Sequence, residues 1–370
     1  MTRVALAHDY LTQRGGAERV ALVLTQAFPG ADLYTSLYDP DETYPEFRGV
    51  RVVTSPLNRV GLFRRAFRWA LPFFGAAFDR APVDPSTEVV VVSTTGFAHG
   101  IATSAPKVVY CHSPARFLYL VDDYLGTDWW RTPTGWALMA LRPWLVRWDQ
   151  RAARQAAVYL CNSRVVQRRI RDVYGIEATV VPPPAALDQS GPREPLPALD
   201  GWPDHHLLVS RLLPYKNVDA AIDAFRQLPD ERLLVVGSGP LRDRFAGDLP
   251  VNVRLVEGIT DAQLRTAYAG ARAVIAPSHE DFGLTPVEGF SFGVPALALR
   301  GGGYLDTVVE GVTGWFFEAP TAAAIAAAVR RLAAEPLDLD GVLAHAQHFT
   351  PEAFAASIRG IVDQIAGGSR

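Results

Sequence analysis

Ala273-Val-Ile-Ala-Pro277-Ser-His-Glu280-Asp-Phe-Gly283-Leu-Thr-Pro-Val-Glu288 is the stretch on which the fold turns. Four apolar residues of strand length, Ala273–Ala276, run into a polar loop and then into a helix start. Thr285 is read as the N-cap and Pro286 as the first helical residue, because a capping hydroxyl and a proline that lacks an N–H suit those two positions. Thr285-Pro-Val-Glu288 is also a capping-box pattern, which by itself assigns Glu288 a structural task. Glu280 and Gly283 have no such explanation. They lie ahead of the helix, at a strand's carboxyl end, where free N–H groups gather.

The same strand–loop–helix unit recurs on both sides of this stretch. In the first half, Val4–Ala7 is followed by Gly15-Gly16 and a helix with Ala17, Val20, Ala21, Leu24 and Phe28 on its apolar face. Further strands are expected at Val50–Val53, Glu88–Val92, Lys107–Cys111, Val158–Cys161 and Thr179–Val181, with helices near 137–156 and 163–174. From Pro182-Pro-Pro184 onward, Pro192, Pro195, Pro197 and Pro203 rule out a continuous helix or central strand. A second series follows, with strands at Leu207–Ser210, Leu233–Gly237, Val253–Val256, Ala273–Ala276 and Pro295–Leu299. Helices are expected near 217–227, 260–269, 286–292, 321–334 and 351–366, the last with Phe354, Ile358, Ile361 and Ile365 on one face. The expectation is therefore an α/β protein with mainly parallel sheets. Its parts are an N-terminal domain over 1–184, a proline-rich linker over 185–204, a C-terminal domain over 205–350, and a terminal helix over 351–370 packing back on the first domain.

Composition agrees with two domains. The chain has 370 residues, and single cores stop growing near about 250 to 300. Apolar residues make up 49% and charged residues 20%, the balance of a folded soluble chain. A net charge of −3 gives no reason to expect nucleic acid as a partner. Two cysteines, Cys111 and Cys161, offer neither a disulfide framework nor a metal cluster, which fits a cytoplasmic home. The opening apolar run meets His8-Asp9 too soon for a signal peptide, and no apolar run reaches membrane-spanning length. Asp39-Pro-Asp41 and Asp338-Leu-Asp340 are read as surface turns, and neither a metal nor any other cofactor is expected.

Several residues sit where doubly wound sheets bind ligands, at the carboxyl ends of strands. Gly15 and Gly16 either form a plain helix-start turn or let a phosphate or sugar approach backbone N–H groups. Ser210-Arg211-Leu-Leu-Pro-Tyr-Lys216-Asn217 carries two cations in a strand-to-helix loop, with Asn217 as the expected N-cap. That loop is either solvated surface or a diphosphate clamp. Lysine is otherwise confined to Lys107 in an arginine-rich chain, which favours the clamp. His112, in Tyr110-Cys-His-Ser-Pro114, follows a strand and precedes a proline-disrupted loop, a mouth position. Its neighbour Cys111 points to the opposite side of an extended chain, so the two form no dyad.

With these residues assembled, a resemblance becomes specific. Glu280 and Glu288, separated by seven residues around Phe-Gly-Leu, resemble the E-x7-E motif of retaining GT-B glycosyltransferases, in particular the GT4 family. Arg211 with Lys216, the Gly237-Ser-Gly239-Pro turn, Gly301-Gly302-Gly303 and the terminal helix are similar to that family too, so the likeness runs over nearly the whole chain. It implies two Rossmann-like domains facing an interdomain cleft. It implies that Arg211 and Lys216 bind a donor diphosphate, Glu288 the ribose and Glu280 the transferred sugar. Phe282, Gly283 and Leu284 would offer backbone N–H groups, and Thr285, Gly237 and Gly239 would complete the donor contacts. His112 and Gly15-Gly16 would face the reaction centre from the first domain. Asp306 departs from the family, which more often has Glu after its glycine pair.

His8-Asp-Tyr-Leu-Thr-Gln-Arg-Gly-Gly-Ala-Glu18, Tyr34-Thr-Ser-Leu-Tyr-Asp39 and Tyr110–Pro114 more narrowly resemble bacterial mannosyltransferases of polysaccharide assembly. The resemblance implies GDP-mannose as donor, a saccharide or lipid-linked acceptor, and metal-independent transfer with retention. Other readings are a UDP-sugar-dependent transferase, an epimerase or phosphorylase-like enzyme of the same fold, and a catalytically silent sugar-nucleotide-binding module. A dinucleotide oxidoreductase is disfavoured, because no strand-linked G-x-G-x-x-G stands at the first turn.

Two arginine- and aromatic-rich stretches remain. Leu57–Arg80 interleaves Arg59, Arg64, Arg65, Arg68 and Arg80 with Leu62, Phe63, Phe67, Trp69, Leu71, Phe73, Phe74 and Phe78. Trp129, Trp130, Trp136, Trp144 and Trp148 share a second stretch with Arg131, Arg142, Arg147 and Arg151. These are either core packing or a peripheral membrane contact on the cytoplasmic leaflet.

Overall fold

The computed structural model describes residues 2–65, 67–121, 129–202 and 204–368. Pro203 and the side chains of Phe67, Arg68 and Trp129 lie outside the described residues. The chain divides into two compact units: unit 1 comprises Met1–Pro184 and Pro351–Arg370, and unit 2 comprises Ala185–Thr350.

Unit 1 is built on seven strands, β1 (Val4–His8), β2 (Leu33–Thr35), β3 (Val52–Thr54), β4 (Val89–Thr94), β5 (Lys107–Cys111), β6 (Val158–Cys161) and β7 (Thr179–Val180). They lie in the order β3-β2-β1-β4-β5-β6-β7 with every pairing parallel. A parallel sheet covered on both faces requires continuous apolar strands. Val89-Val-Val-Val92 supplies one: Val89 and Val91 pack on one face, Val90 and Val92 on the other. On the first face lie the helices Gly16–Ala27 and Pro351–Gly368, the latter burying Phe354, Ile358 and Val362. Arg359 fastens these two helices by donating from Nε to the Ala27 carbonyl at 2.8 Å. The opposite face is covered partly by the helix Pro133–Ala153, whose Trp148 indole packs beside Phe97 and donates to Asp79 at 3.1 Å.

Unit 2 carries six parallel strands, β8 (His205–Val209), β9 (Leu233–Val236), β10 (Val253–Val256), β11 (Ala271–Ala276), β12 (Ala296–Leu299) and β13 (Gly314–Phe317), in the order β10-β9-β8-β11-β12-β13. The proline-rich segment 185–204 belongs to this unit. Leu187 and Leu196 are buried in it, and Thr266 and Arg265 hold the segment through the carbonyls of Glu194 and Pro192.

Both sheets contain a strand that periodicity did not reveal. β2 has three residues, too few to show an alternation, and β13 begins at a glycine. Asp338-Leu-Asp340 is not a free surface turn: Asp338 caps the helix Leu339–Ala346, its carboxylate accepting from the Asp340 N–H at 3.1 Å. Among the described residues no helix is long and apolar enough to cross a membrane.

Candidate active site

In unit 2 the chain leaves β8 toward β9 and β10 on one side and leaves β11 toward β12 and β13 on the other. The adjacent carboxyl ends of β8 and β11 are therefore the topological switch point, where such sheets hold ligands. Both cationic and acidic candidates lie in the two loops that leave it. The Lys216 ammonium is ion-paired with the Glu280 carboxylate, and their side chains are 14% and 26% exposed. Ser278 donates its hydroxyl to the same Glu280 oxygen at 2.6 Å and lies 3.4 Å from the Tyr304 phenol. Asn217 ties the loops together, its side-chain amide donating to the Pro277 carbonyl at 2.9 Å. It does occupy the N-cap of helix Val218–Arg226, but in the left-handed region and with its side chain spent on that carbonyl rather than on the helix. Arg211 is exposed in the same loop and has no ion-pair partner among the described residues.

The start of the next helix corrects the sequence reading. It runs Leu284–Ser291 with Gly283 as N-cap, so Thr285 lies inside the first turn and there is no capping box. The physical reason is Gly283, whose φ of 88° turns the chain into the helix two residues earlier. A side chain there would also strike the buried Tyr304 ring, since a Cβ would stand 2.3 Å from its Cε1. Leu284 and Thr285 consequently present first-turn N–H groups that have no intrahelical acceptor. Glu288, relieved of capping, is buried and accepts a hydrogen bond from the Tyr268 phenol at 2.7 Å. Burial and the neighbouring Glu288 charge raise the Tyr268 phenol well above its ordinary range, so it stays a donor.

Two glycine-rich turns press these loops into place. Gly303 donates its N–H to the Glu280 carbonyl at 2.8 Å, and a Cβ on it would lie 2.3 Å from the Phe282 Cα. Gly237 and Gly239 lie against the backbone of the Arg211 loop, where Leu212 N–H donates to the Ser238 carbonyl at 2.8 Å. Asp306 sits in the short helix Tyr304–Thr307.

In unit 1 the switch point lies between β1 and β4. Asp9 closes it. Its buried carboxylate accepts from Thr94 Oγ1 (3.0 Å), Thr95 N–H (2.5 Å), Thr95 Oγ1 (2.9 Å), Phe97 N–H (2.9 Å) and Ala98 N–H (2.6 Å). Burial pushes its pKa up, but the adjacent His8 and the three N–H donors outweigh it and hold the carboxyl below the usual range.

His8 Nδ1 lies 3.1 Å from both the Ser93 carbonyl and the Ser93 hydroxyl, and that hydroxyl lies 2.9 Å from His112 Nε2. A carbonyl only accepts, so His8 Nδ1 carries a proton. With His8 Nδ1 donating, the Ser93 hydroxyl keeps its own proton available for His112 Nε2; that direction corresponds to a neutral His112 ring with its proton on Nδ1. Burial, with the neighbouring His8 charge, pushes the His112 pKa down to about 3, which agrees with a neutral imidazole.

Gly15 is the N-cap of the first helix and Gly16 its first residue. A side chain at Gly15 would meet the buried Glu18 carboxylate, whose Oε2 would lie 2.5 Å from a Cβ. Gln13 donates to the other Glu18 oxygen at 2.9 Å, and His8 Nε2 stands 4.0 Å from it. Cys111 is buried and its thiol is pushed well up by that burial, away from any reactive role.

His8, Asp9, Ser93, Ser278, Tyr268 and Tyr304 were not singled out as site residues from the sequence. For His8-Asp9 and Ser93 a signal existed: polar residues at the carboxyl ends of two buried strands. The tyrosines gave none, because a phenol at helical spacing looks like core.

Two doubly wound parallel sheets, each with its hydrogen-bonding and charged groups gathered at a switch point, define an α/β protein of the GT-B glycosyltransferase type. Residues 14–189 match the profile described as Glycosyltransferase Family 4 and residues 201–353 the profile described as Glycosyl transferases group 1; the chain belongs to the GT4 glycosyltransferases. It is 30% identical over 227 residues to a GDP-mannose-dependent alpha-(1-6)-phosphatidylinositol monomannoside mannosyltransferase of Mycolicibacterium smegmatis, a match covering 55% of this chain and 59% of that protein. It is 24% identical over 95% of its length to human alpha-1,3/1,6-mannosyltransferase ALG2, spanning 93% of that protein. A glycogen synthase of Thermus thermophilus matches at 37% identity, over 30% of this chain and 27% of its own length. In fold, the chain is similar throughout to sucrose-phosphate synthase from Thermosynechococcus elongatus (TM-score 0.70, 19% identity, all of both chains). It is equally similar to Anabaena HepE in complex with UDP and glucose (TM-score 0.70, 18% identity, 98% of this chain and all of the other).

Proposed function

We propose that this glycosyltransferase moves mannose from GDP-mannose to a saccharide or lipid-linked acceptor, with retention of configuration and without a metal. The observation that carries the reading is the Lys216–Glu280 pair at the β8/β11 switch point, with Arg211 exposed in the same loop as Lys216. As the bond from the anomeric carbon to the diphosphate oxygen breaks, negative charge grows on the leaving group and positive charge on the sugar. Arg211, Lys216 and the first-turn N–H groups of Leu284 and Thr285 stabilise the former; Glu280 orients the sugar. Phe282 and Gly283 add backbone donors, and Glu288, held by Tyr268, takes the ribose. The acceptor oxygen forms the new bond on the face the diphosphate leaves, and its proton passes to the departing phosphate oxygen. No protein nucleophile is then needed. In unit 1, His112 with Gly15 and Gly16 is assigned to the transferred sugar.

The choice of mannose is supported by two relatives whose names state mannosyl transfer. The test is calorimetry with GDP, UDP and ADP, followed by hydrolysis of the matching sugar nucleotides, all in EDTA. GDP binding with GDP-mannose hydrolysis is expected. Binding of UDP alone would replace the donor, and hydrolysis with no glycosylated product from any acceptor would favour an epimerase or phosphorylase-like activity.

A cytoplasmic, peripheral membrane position is part of the same reading. Of the aromatic-rich stretches, Phe74, Phe78 and Trp148 belong to the core, whereas Leu62, Trp69, Phe73, Trp130, Trp136 and Trp144 are exposed. Flotation with anionic liposomes at low salt tests this position, and failure to float would remove it.

A further inference from the structure

We propose that a basic pocket at the carboxyl ends of β2 and β3 binds the phosphate or diphosphate of an amphiphilic, lipid-linked acceptor. The pocket measures about 520 Å³ and is lined by Arg59, Arg64 and Arg80 together with Thr54, Ser55 and Asn58; no carboxylate lines it. Arg64 is held in place by its bond to the Asn58 carbonyl at 2.6 Å and lies 3.8 Å from the Asp39 carboxylate. Arg59 and Arg80 have no ion-pair partner among the described residues, so two guanidinium groups are available to a ligand. Three arginines around one concavity suit an anion with several oxygens, which a guanidinium grips with two donors at once.

The position of the pocket connects it to the site. Thr54 pairs in register with Thr35, and Thr35 with His8, so one row crosses three strands at their carboxyl ends. Adjacent strands are about 4.8 Å apart, which puts the pocket within the length of a disaccharide of His8. The apolar part of the ligand follows from the same segment. Leu62, Trp69 and Phe73 are 60%, 64% and 51% exposed on the short helices that run between Arg59 and Arg80. A free sugar phosphate would use the arginines and leave these three side chains unexplained. A lipid-linked diphosphate uses both. The inference rests on the acceptor class given under Proposed function, and adds where that acceptor's charge is held.

The test is calorimetric titration of the full chain with geranyl diphosphate and, in parallel, inorganic pyrophosphate. Arg59→Ala/Arg80→Ala is expected to weaken geranyl diphosphate binding by about 100-fold or more, since each of the two lost bonds to a charged group is worth about tenfold or more. GDP affinity and melting temperature are expected to stay unchanged, and Lys216→Ala is expected to keep geranyl diphosphate binding. Unweakened binding in the double arginine variant, or loss in Lys216→Ala instead, would overturn the pocket. Equal affinity for pyrophosphate and geranyl diphosphate would overturn the lipid assignment. A wild-type chain that binds geranyl diphosphate through Arg59 and Arg80 but not GDP would retain the pocket and discard the donor.

Discussion

Lys216 and Glu280, sixty-four positions apart in sequence, meet as an ion pair where the loops from β8 and β11 converge. The pairing means that each holds the other in a defined place. Glu280→Gln and Lys216→Ala should fold and lose transfer by about 100-fold or more, because each removes preorganised charge. The double variant should be little worse than the poorer single one, since the two act as a unit. Fully additive losses in turnover would show that they work independently.

Tyr268 is the residue that keeps Glu288 where a ribose could meet it. Tyr268→Phe retains the ring that stacks on Phe292 and removes the hydroxyl that donates to Glu288 at 2.7 Å and lies 3.5 Å from the Thr285 carbonyl. GDP affinity should fall by about tenfold, the worth of one hydrogen bond to a charged group, while Glu288→Ala should weaken it at least as much. Calorimetry reads both, and an undiminished affinity in Tyr268→Phe would separate Glu288 from nucleotide binding.

Much of this arrangement was legible in the sequence because parallel strands buried on two faces must be continuously apolar. Val158–Cys161, Lys107–Cys111 and Val253–Val256 have the bounds read from sequence. Glu280, Lys216 and Arg211 were visible as polar residues in strand-to-helix loops. What stayed hidden has physical causes. Gly283 displaced the helix start from Thr285 by its left-handed conformation, and the Tyr304 ring that excludes a side chain there comes from a separate short helix, distant in sequence. The His8–Ser93–His112 chain joins three strands whose order is a property of the sheet and not of any local pattern.

That chain makes a spectroscopic prediction. Nitrogen NMR of histidine-labelled protein should show His112 neutral, with its proton on Nδ1, at pH 7. Ser93→Ala should release that preference without unfolding the chain. A His112 found protonated on Nε2 in the wild type would contradict the hydrogen-bond order.

The low pKa of His112 also sets a pH dependence. In the unfolded chain the ring protonates near about 6.5, whereas in the fold it stays neutral down to about 3. Its contribution to stability is therefore fully present above about pH 6.5 and is lost progressively as pH falls toward 3. His205 acts in the same direction in unit 2, burial pushing it down to about 4. Melting temperature should fall between pH 6.5 and 4.5, and less steeply in His112→Gln. An identical slope in both proteins would remove His112 from the acid response.

Transfer of radiolabel from GDP-mannose into a lipid-extractable or polysaccharide product, run in EDTA with wild type and Glu280→Gln side by side, tests the central claim most directly. The expected result is a labelled, α-linked product made by the wild type without added metal and reduced by about 100-fold or more in the variant. Equal incorporation by the two proteins, or label transferred only from a different sugar nucleotide, would contradict it.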